Sequence, residues 1–333
     1  MTPRVAILCN DRLCLPAVNW LVGAGIAIAV GMPEGSHETQ MLIQQQCNNL
    51  GRPFNTFKKE TLHQDLLAWL QQYKPDVVLV KTFPWRIPAE VLDIPSQGFI
   101  NFHYAPLPQF RGPNPLFWMI RRQVQMGGVT IHLMDEGFDS GPIIMQQPIS
   151  LSPDLTYGWL CTQLAYAGLQ LTWALLQGLA AGSLQLTPQQ GSEARWYPRP
   201  SPNDLVVNWN TNTAEEIRAL ALACNPWNKG AATSWNNWMF GITDASIVQN
   251  IPNAHTYTQL PGTVLAIDEQ QGLLVSCLNN QVLKLNVIYC EEGFFPGEKM
   301  ASFGIKPGCR LGPHPIPSLQ TEPQPSSALH QSS

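Results

Sequence analysis

Short apolar runs that alternate with segments of helical spacing constrain this chain more than any other feature. Arg4–Cys9, Ile26–Val30, Val77–Val80 and Gly98–Phe102 are β-prone and too short for buried helices. Between them lie Leu13–Gly23, Glu38–Leu50 and Thr61–Tyr73. In the last of these, Leu62, Leu66, Trp69 and Leu70 fall on one helical face. Strands alternating with helices predict an α/β, Rossmann-like, doubly wound and mostly parallel sheet. A dinucleotide site needs GxGxxG in the first strand-to-helix turn. This chain has CNDRLCLPA there, without a glycine, so a nicotinamide cofactor is not expected.

The pattern changes along the chain. Leu155–Leu179 reads as one long helix, and composition shifts to Pro, Ser and Arg near 192. Beyond a helix at Thr213–Cys224, short strand-like runs follow at Ala232–Trp235, Met239–Ile242, Gly262–Ile267, Leu273–Cys277 and Val282–Val287. Asn279-Asn280 suits a hairpin turn. The expected organisation is a catalytic domain (1–191), a linker (192–212), a small C-terminal β-barrel of OB-like type (213–311) and a disordered Pro/Ser/Gln-rich tail (312–333).

Net charge is −4 over 333 residues, and no long apolar span is present, which argues against a nucleic-acid surface, an anionic membrane surface or a membrane helix. The eight cysteines form no CxxC pair and no metal-ligand cluster. No leader segment is evident, so a cytoplasmic, metal-free protein is expected.

Chemistry concentrates between Gly98 and Gln147. Asn101 and His103, two apart on a strand, point to one face. A Pro-rich turn follows, then a helix candidate at Pro115–Val124. A second strand, Val129–Met134, leads into DEGFDSG with Asp135, Glu136, Gly137 and Asp139. Amide, imidazole and carboxylate together can polarise a carbonyl, move a proton and orient the base.

This block resembles the catalytic core of the 10-formyltetrahydrofolate-dependent formyltransferases. Their pattern is Asn-x-His, a Leu-Pro-x-x-x-Gly segment, and an Asp thirty-six residues after the His, here Asp139 in a D-S-G context. The resemblance covers most of residues 4–310 and is strongest over 75–147. It implies the formyltransferase fold, 10-formyltetrahydrofolate as co-substrate, and Asn101, His103 and Asp139 as the catalytic set. Phe83, Trp85, Arg86, Ile87 and Pro88 would border the folate, with Asp135, Glu136 and Gly137 opposite. Pro88 lacks the amide donor of the family loop. Trp85 and His132 each keep two readings: pocket lining or core aromatic for Trp85, pocket lining or hydrogen-bonded core histidine for His132. Asn10, Tyr104 and Arg111 are the candidates for contact with the amine substrate.

For the acceptor, Gly31–Leu50 contains no Lys or Arg, and the chain is net acidic. On that ground a small amine is favoured, an amino sugar on a nucleotide or an amino-acid-derived metabolite, with Arg111, Arg121 and Arg122 near a phosphate. Methionyl-tRNA, suggested by the two-domain layout and by Asn225-Pro226-Trp227, is the alternative and tRNA is disfavoured as a partner. Water as acceptor would give a hydrolase. A folate-binding module without catalysis is the remaining class.

Overall fold

A computed structural model describes residues 3–35, 37–249 and 259–312. All but the first residue of the expected tail lies outside them. The chain forms two compact units, Met1–Arg199 with Asn225–Trp227, and Pro200–Cys224 with Asn228–Ser333. The boundary at Arg199/Pro200 falls inside the segment read as a linker.

The first unit is built on a seven-stranded sheet. Its strands are β1 (Val5–Cys9), β2 (Ala27–Pro33), β3 (Phe54–Phe57), β4 (Val77–Lys81), β5 (Phe99–His103), β6 (Met126–Leu133) and β7 (Ile143–Ser150). In space the order is β3-β2-β1-β4-β5-β6-β7. The first five are parallel, and β6 pairs antiparallel with both β5 and β7, so β6 alone runs against the rest. The doubly wound, mostly parallel expectation is borne out. Helices α1 (Leu15–Gly23), α2 (Glu38–Asn49), α3 (Leu62–Tyr73), α4 (Ala89–Leu92), α5 (Pro115–Arg121) and α6 (Tyr157–Ala181) complete the unit.

Every residue of β1 and β4 is buried, as strands covered on both faces must be. Helix α3 buries Leu62, Leu66, Trp69 and Leu70. Each such side chain withdrawn from water stabilises the fold by about 1.5–3 kcal/mol before entropy is charged. The helix stops at Lys74 (φ 46°), directly before Pro75. The expected helices at 115–124 and 155–179 are instead Pro115–Arg121 and Tyr157–Ala181. Thr156 caps α6 by accepting from the Trp159 amide at 3.2 Å, and Gly182 closes it in the left-handed region (φ 62°).

The second unit begins with α7 (Ala214–Cys224), whose Thr213 and Glu216 form a reciprocal cap at 3.2 and 3.0 Å. An antiparallel sheet follows: β8 (Ala231–Trp235), β9 (Trp238–Ile247), β10 (Val264–Asp268), β11 (Gly272–Ser276), β12 (Val282–Cys290) and β13 (Gly293–Pro296). Its order is β10-β11-β12-β9-β8, with β13 on β12. Two Asn-Asn pairs turn hairpins with positive φ at both residues, the expected Asn279-Asn280 and also Asn236-Asn237. The segment 310–312 bridges Thr263, just before β10, and Ser234 of β8, so both edges of the sheet are joined.

Strand order fixes where a ligand can enter the first unit. The chain winds from β1 outward through β2 and β3, then returns to the other side of β1 with β4. A crevice opens at the carboxyl ends of strands at such a reversal. Asn10 and Asp11 follow β1 there, and Thr82 follows β4. The Asp11 amide donates to Thr82 Oγ1 at 3.1 Å, and burial raises the Asp11 carboxyl. Asn101 and His103 lie at the same end of β5.

Candidate active site

Asn101 and His103 share one face of β5 because strand residues two apart must. Strand β6 lies antiparallel beside it, pairing Asn101 with His132 and His103 with Thr130. The loop after β6 then folds back and brings Asp139 over these side chains. Asn101 Nδ2 donates to His132 Nε2 at 3.1 Å and to Asp139 Oδ1 at 3.4 Å. His103 Nδ1 stands 3.5 Å from the same carboxylate oxygen, and His132 Nε2 stands 3.7 Å from it. The four residues form one cluster around a single carboxylate.

Neighbouring carbonyls fix the protons on both imidazoles. Nε2 of His103 donates to the Phe110 carbonyl at 2.6 Å, because a carbonyl can only accept. Its Nδ1 therefore carries the lone pair and faces Asp139. His132 donates from Nδ1 to the Leu133 carbonyl at 3.1 Å, which leaves Nε2 to accept from Asn101. Of its two readings, pocket lining or hydrogen-bonded core histidine, His132 takes the second. At 2% exposure it completes the polar cluster and aims the Asn101 amide.

Asp139 is held by backbone as well as by charge. Its Oδ2 accepts from the Gly112 amide at 2.9 Å. Burial alone would raise its carboxyl, but a proton on His103 Nδ1, 3.5 Å from Oδ1, together with the Gly112 amide outweighs burial, and the group sits well below the usual carboxylate range. Gly112 has φ 116°, and a Cβ there would meet the Tyr197 carbonyl at 2.0 Å, so only glycine fits. Gln189 braces the opposite side. Its Nε2 donates to the carbonyls of Asp139 (2.9 Å) and Gly141 (2.8 Å), and its Oε1 accepts from Arg111 at 2.8 Å. No sequence signal singled out Gln189, eighty-six residues from His103 along the chain.

A depressed carboxylate makes a pH prediction with a definite sign. Because the folded value lies below the unfolded 3.8, Asp139 ionisation stabilises the fold above 3.8, and this contribution is lost as pH falls through the folded value. The stability difference between wild type and Asp139→Asn, from urea unfolding, should not shrink as pH falls from about 8 to about 5, and should shrink only in stronger acid. A difference that already halves near pH 6 would contradict this assignment.

The loop residues divide between packing and cleft. Phe83 and Trp85 stack edge-on at 5.4 Å, and Phe83 meets Phe57 at 6.4 Å. Both aromatic rings pack against the core cluster, and Ile87 is buried within it. Pro88 caps α4. Arg86 joins the two loops expected to face the folate: its guanidinium donates to the Glu136 carbonyl and lies 5.5 Å over the Phe138 ring. Asp135 Oδ1 accepts from the Gly137 amide (3.0 Å) and from Ser140 (2.7 Å), which fixes the curl of the acidic loop. Tyr104, expected at the substrate, is 3% exposed and donates its hydroxyl to the Leu13 carbonyl at 3.1 Å, so it packs rather than faces the cleft. Asn10 is half-buried at the end of β1.

Beside Asp139 opens a cavity of about 400 Å³, lined by Arg111, Phe138, Ser140, Ala194, Arg195 and Trp196. One wall exists because residues 195–197 are laced to Arg111: its amide donates to the Arg195 carbonyl at 3.0 Å, and the Tyr197 amide to the Arg111 carbonyl at 2.9 Å. Phe138 and Trp196 are about half exposed, with centroids 5.7 Å apart, and Arg122 lies 5.0 Å over Tyr197. Among the described residues no group of His, Cys, Asp and Glu could hold a metal ion.

Comparison with known proteins agrees with this geometry. Residues 24–174 match the family model described as formyl transferase, and residues 200–293 the one described as its C-terminal domain. A methionyl-tRNA formyltransferase of Clostridium beijerinckii is 32% identical over 220 residues, covering 66% of this chain and 68% of that protein. One from Pelotomaculum thermopropionicum is 30% identical over 254 residues, 74% of this chain and 80% of that protein. Among solved structures, an N-formyltransferase from Helicobacter canadensis in complex with folinic acid and dTDP-3-aminofucose superposes with TM-score 0.63 at 15% identity, covering 84% of this chain and 98% of its own. HypX from Aquifex aeolicus in complex with tetrahydrofolic acid gives 0.61 at 17% identity over 91% of this chain, which spans about half of it (47%). At these identities the structures show a shared fold. The sequence relatives, named methionyl-tRNA formyltransferase, overturn the disfavouring of tRNA as a partner, which rested on net charge and on the absence of Lys and Arg from 31–50.

Proposed function

Since this chain belongs to the formyl transferase family and is a formyl-transferring enzyme, we propose that it formylates the amino group of methionyl-tRNA from 10-formyltetrahydrofolate. The observation that carries the acceptor is the set of relatives named methionyl-tRNA formyltransferase, matched at 30–32% identity across most of their length. The presence of both family segments in order supports it. So does the arginine and aromatic wall at Arg111, Arg122, Arg195 and Trp196. Arginines neutralise phosphates, and exposed rings stack on unpaired bases.

The co-substrate supplies an activated formyl group, and the loops at 82–88 and 135–139, tied by Arg86, are the place it fits. Asn101 Nδ2 then meets the formyl oxygen, exchanging its long 3.4 Å contact with Asp139 for the charge that gathers there. His103 takes the proton of the attacking amine on Nδ1, the nitrogen that Phe110 leaves free. The imidazolium so formed stands beside the Asp139 carboxylate, and the same proton passes on to the departing folate nitrogen. No covalent bond to the protein is needed; positioning supplies much of the rate.

Purified protein mixed with 10-formyltetrahydrofolate should release tetrahydrofolate with initiator methionyl-tRNA. It should not do so with amino-sugar nucleotides, with free methionine or without acceptor. Release without acceptor, or with a small amine alone, would defeat the reading. Trp196→Ala should raise KM for the tRNA about tenfold, the loss of one stacked base (about 1–3 kcal/mol), and leave kcat within about twofold. An unchanged KM would remove Trp196 from the acceptor surface.

A further inference from the structure

Helix α6 has an outer face that catalysis does not use. Over its 25 residues there is no Asp, Glu, Lys, Arg or His, and none occurs anywhere from Leu155 to Ser192. Its inner face (Leu160, Leu164, Gly168, Leu171, Thr172 and Leu175) is buried in the first unit. Outward, Trp159 is 61%, Tyr166 58% and Trp173 57% exposed. The outer face of a solvated helix ordinarily carries charge. Here three large rings stand one above another at intervals of seven residues, with Thr162, Gln170 and Gln177 completing the stripe. The rings span about 20 Å along the axis. An uncharged aromatic band of this kind marks an interaction surface.

Two observations choose the occupant. A helix lying on a lipid surface needs Lys or Arg flanking its apolar face, and α6 has none. Among the described residues no helix is long and apolar enough to cross a membrane. The stripe is also symmetric about its centre: Trp159 and Trp173 lie seven residues either side of Tyr166, and Thr162 and Gln170 four either side. An antiparallel copy related by a two-fold axis through Tyr166 sets Trp159 against Trp173 in both directions, Tyr166 against itself, and each Thr162 hydroxyl against a Gln170 amide. Self-complementarity of this kind is what an isologous interface requires. At about 150 Å² per ring, the aromatics alone remove about 900 Å² over two copies, the size of a weak, concentration-dependent interface.

We propose that the outer face of α6 is the contact surface of an antiparallel homodimer of this chain, centred on Tyr166. Sedimentation equilibrium of the full chain should show the mass rising from one copy to two over a range of about 1–100 µM. Tyr166→Glu, which faces two carboxylates across the axis, should hold it at one copy, with circular dichroism and Tm unchanged to show that the fold survives. Geometry is read by cross-linking over the wild-type background. Tyr166→Cys should join to itself through a short bismaleimide, and Trp159→Cys should join to Trp173→Cys in a mixture at least tenfold faster than either joins to itself. A chain monomeric throughout the range, a dimer indifferent to Tyr166→Glu, or Trp159→Cys joining to itself as fast as to its mixed partner would overturn the proposal. So would binding of monomeric protein to phosphatidylcholine vesicles that Tyr166→Glu abolishes, which would assign the stripe to lipid.

Discussion

Asn101→Ala is expected to lower kcat for formyl transfer by about 100- to 1,000-fold, the loss typical of removing one donor aimed at developing negative charge. The argument rests on where its amide is held. His132 Nε2 anchors one hydrogen at 3.1 Å, and the other makes only a 3.4 Å contact with Asp139, so it is the hydrogen with most to gain from a new acceptor. An interaction that strengthens only as charge develops raises kcat, so KM for 10-formyltetrahydrofolate should stay within a few-fold. The variant also leaves His132 without its donor, which costs about 1–3 kcal/mol. Thermal unfolding must therefore be read beside the kinetics. A folded variant whose kcat falls less than about fivefold would remove Asn101 from the oxyanion role. One that loses folate binding instead would make it a ground-state contact.

The polar cluster was legible where its geometry is local. Asn101 and His103 share a face through strand periodicity, and Asp139 follows at the family's spacing. The partnership of His132 with Asn101 was not, because it depends on β6 running antiparallel in one particular register, and periodicity cannot supply register between strands. Two strands of the first unit were unread for similar reasons. Phe54–Phe57 is a four-residue edge strand with three of its residues only partly buried or exposed. Ile143–Ser150 carries Pro148, which an edge position tolerates and a central strand does not. The α/β winding was legible because fully buried parallel strands leave unbroken apolar runs. The disfavouring of tRNA rested on charge counted by stretch, and the sequence relatives overturned it. Arg111, Arg122 and Arg195 come together only when the chain at 195–197 hydrogen-bonds back onto Arg111, a tertiary event that composition does not record.

Asp139→Asn separates charge from shape at the same centre. The amide oxygen can still accept from Gly112, whose 2.9 Å bond fixes the loop, so the fold and the Gln189 brace should persist. What disappears is the negative partner for a proton arriving on His103 Nδ1, 3.5 Å away. In its place an NH₂ group would crowd the Asn101 NH₂, with donors facing donors. kcat is expected to fall by about 100- to 10,000-fold, the range of general acid–base contributions, while KM for methionyl-tRNA changes little because the arginine wall is untouched. Asp139→Ala offers the contrast. It loses charge and the Gly112 bond together, so it should add a thermal destabilisation that the asparagine variant lacks at neutral pH beyond the ionic contribution. If the two variants lose stability equally while Asp139→Asn keeps more than about a tenth of wild-type kcat, the carboxylate braces the loop and takes no part in moving the proton.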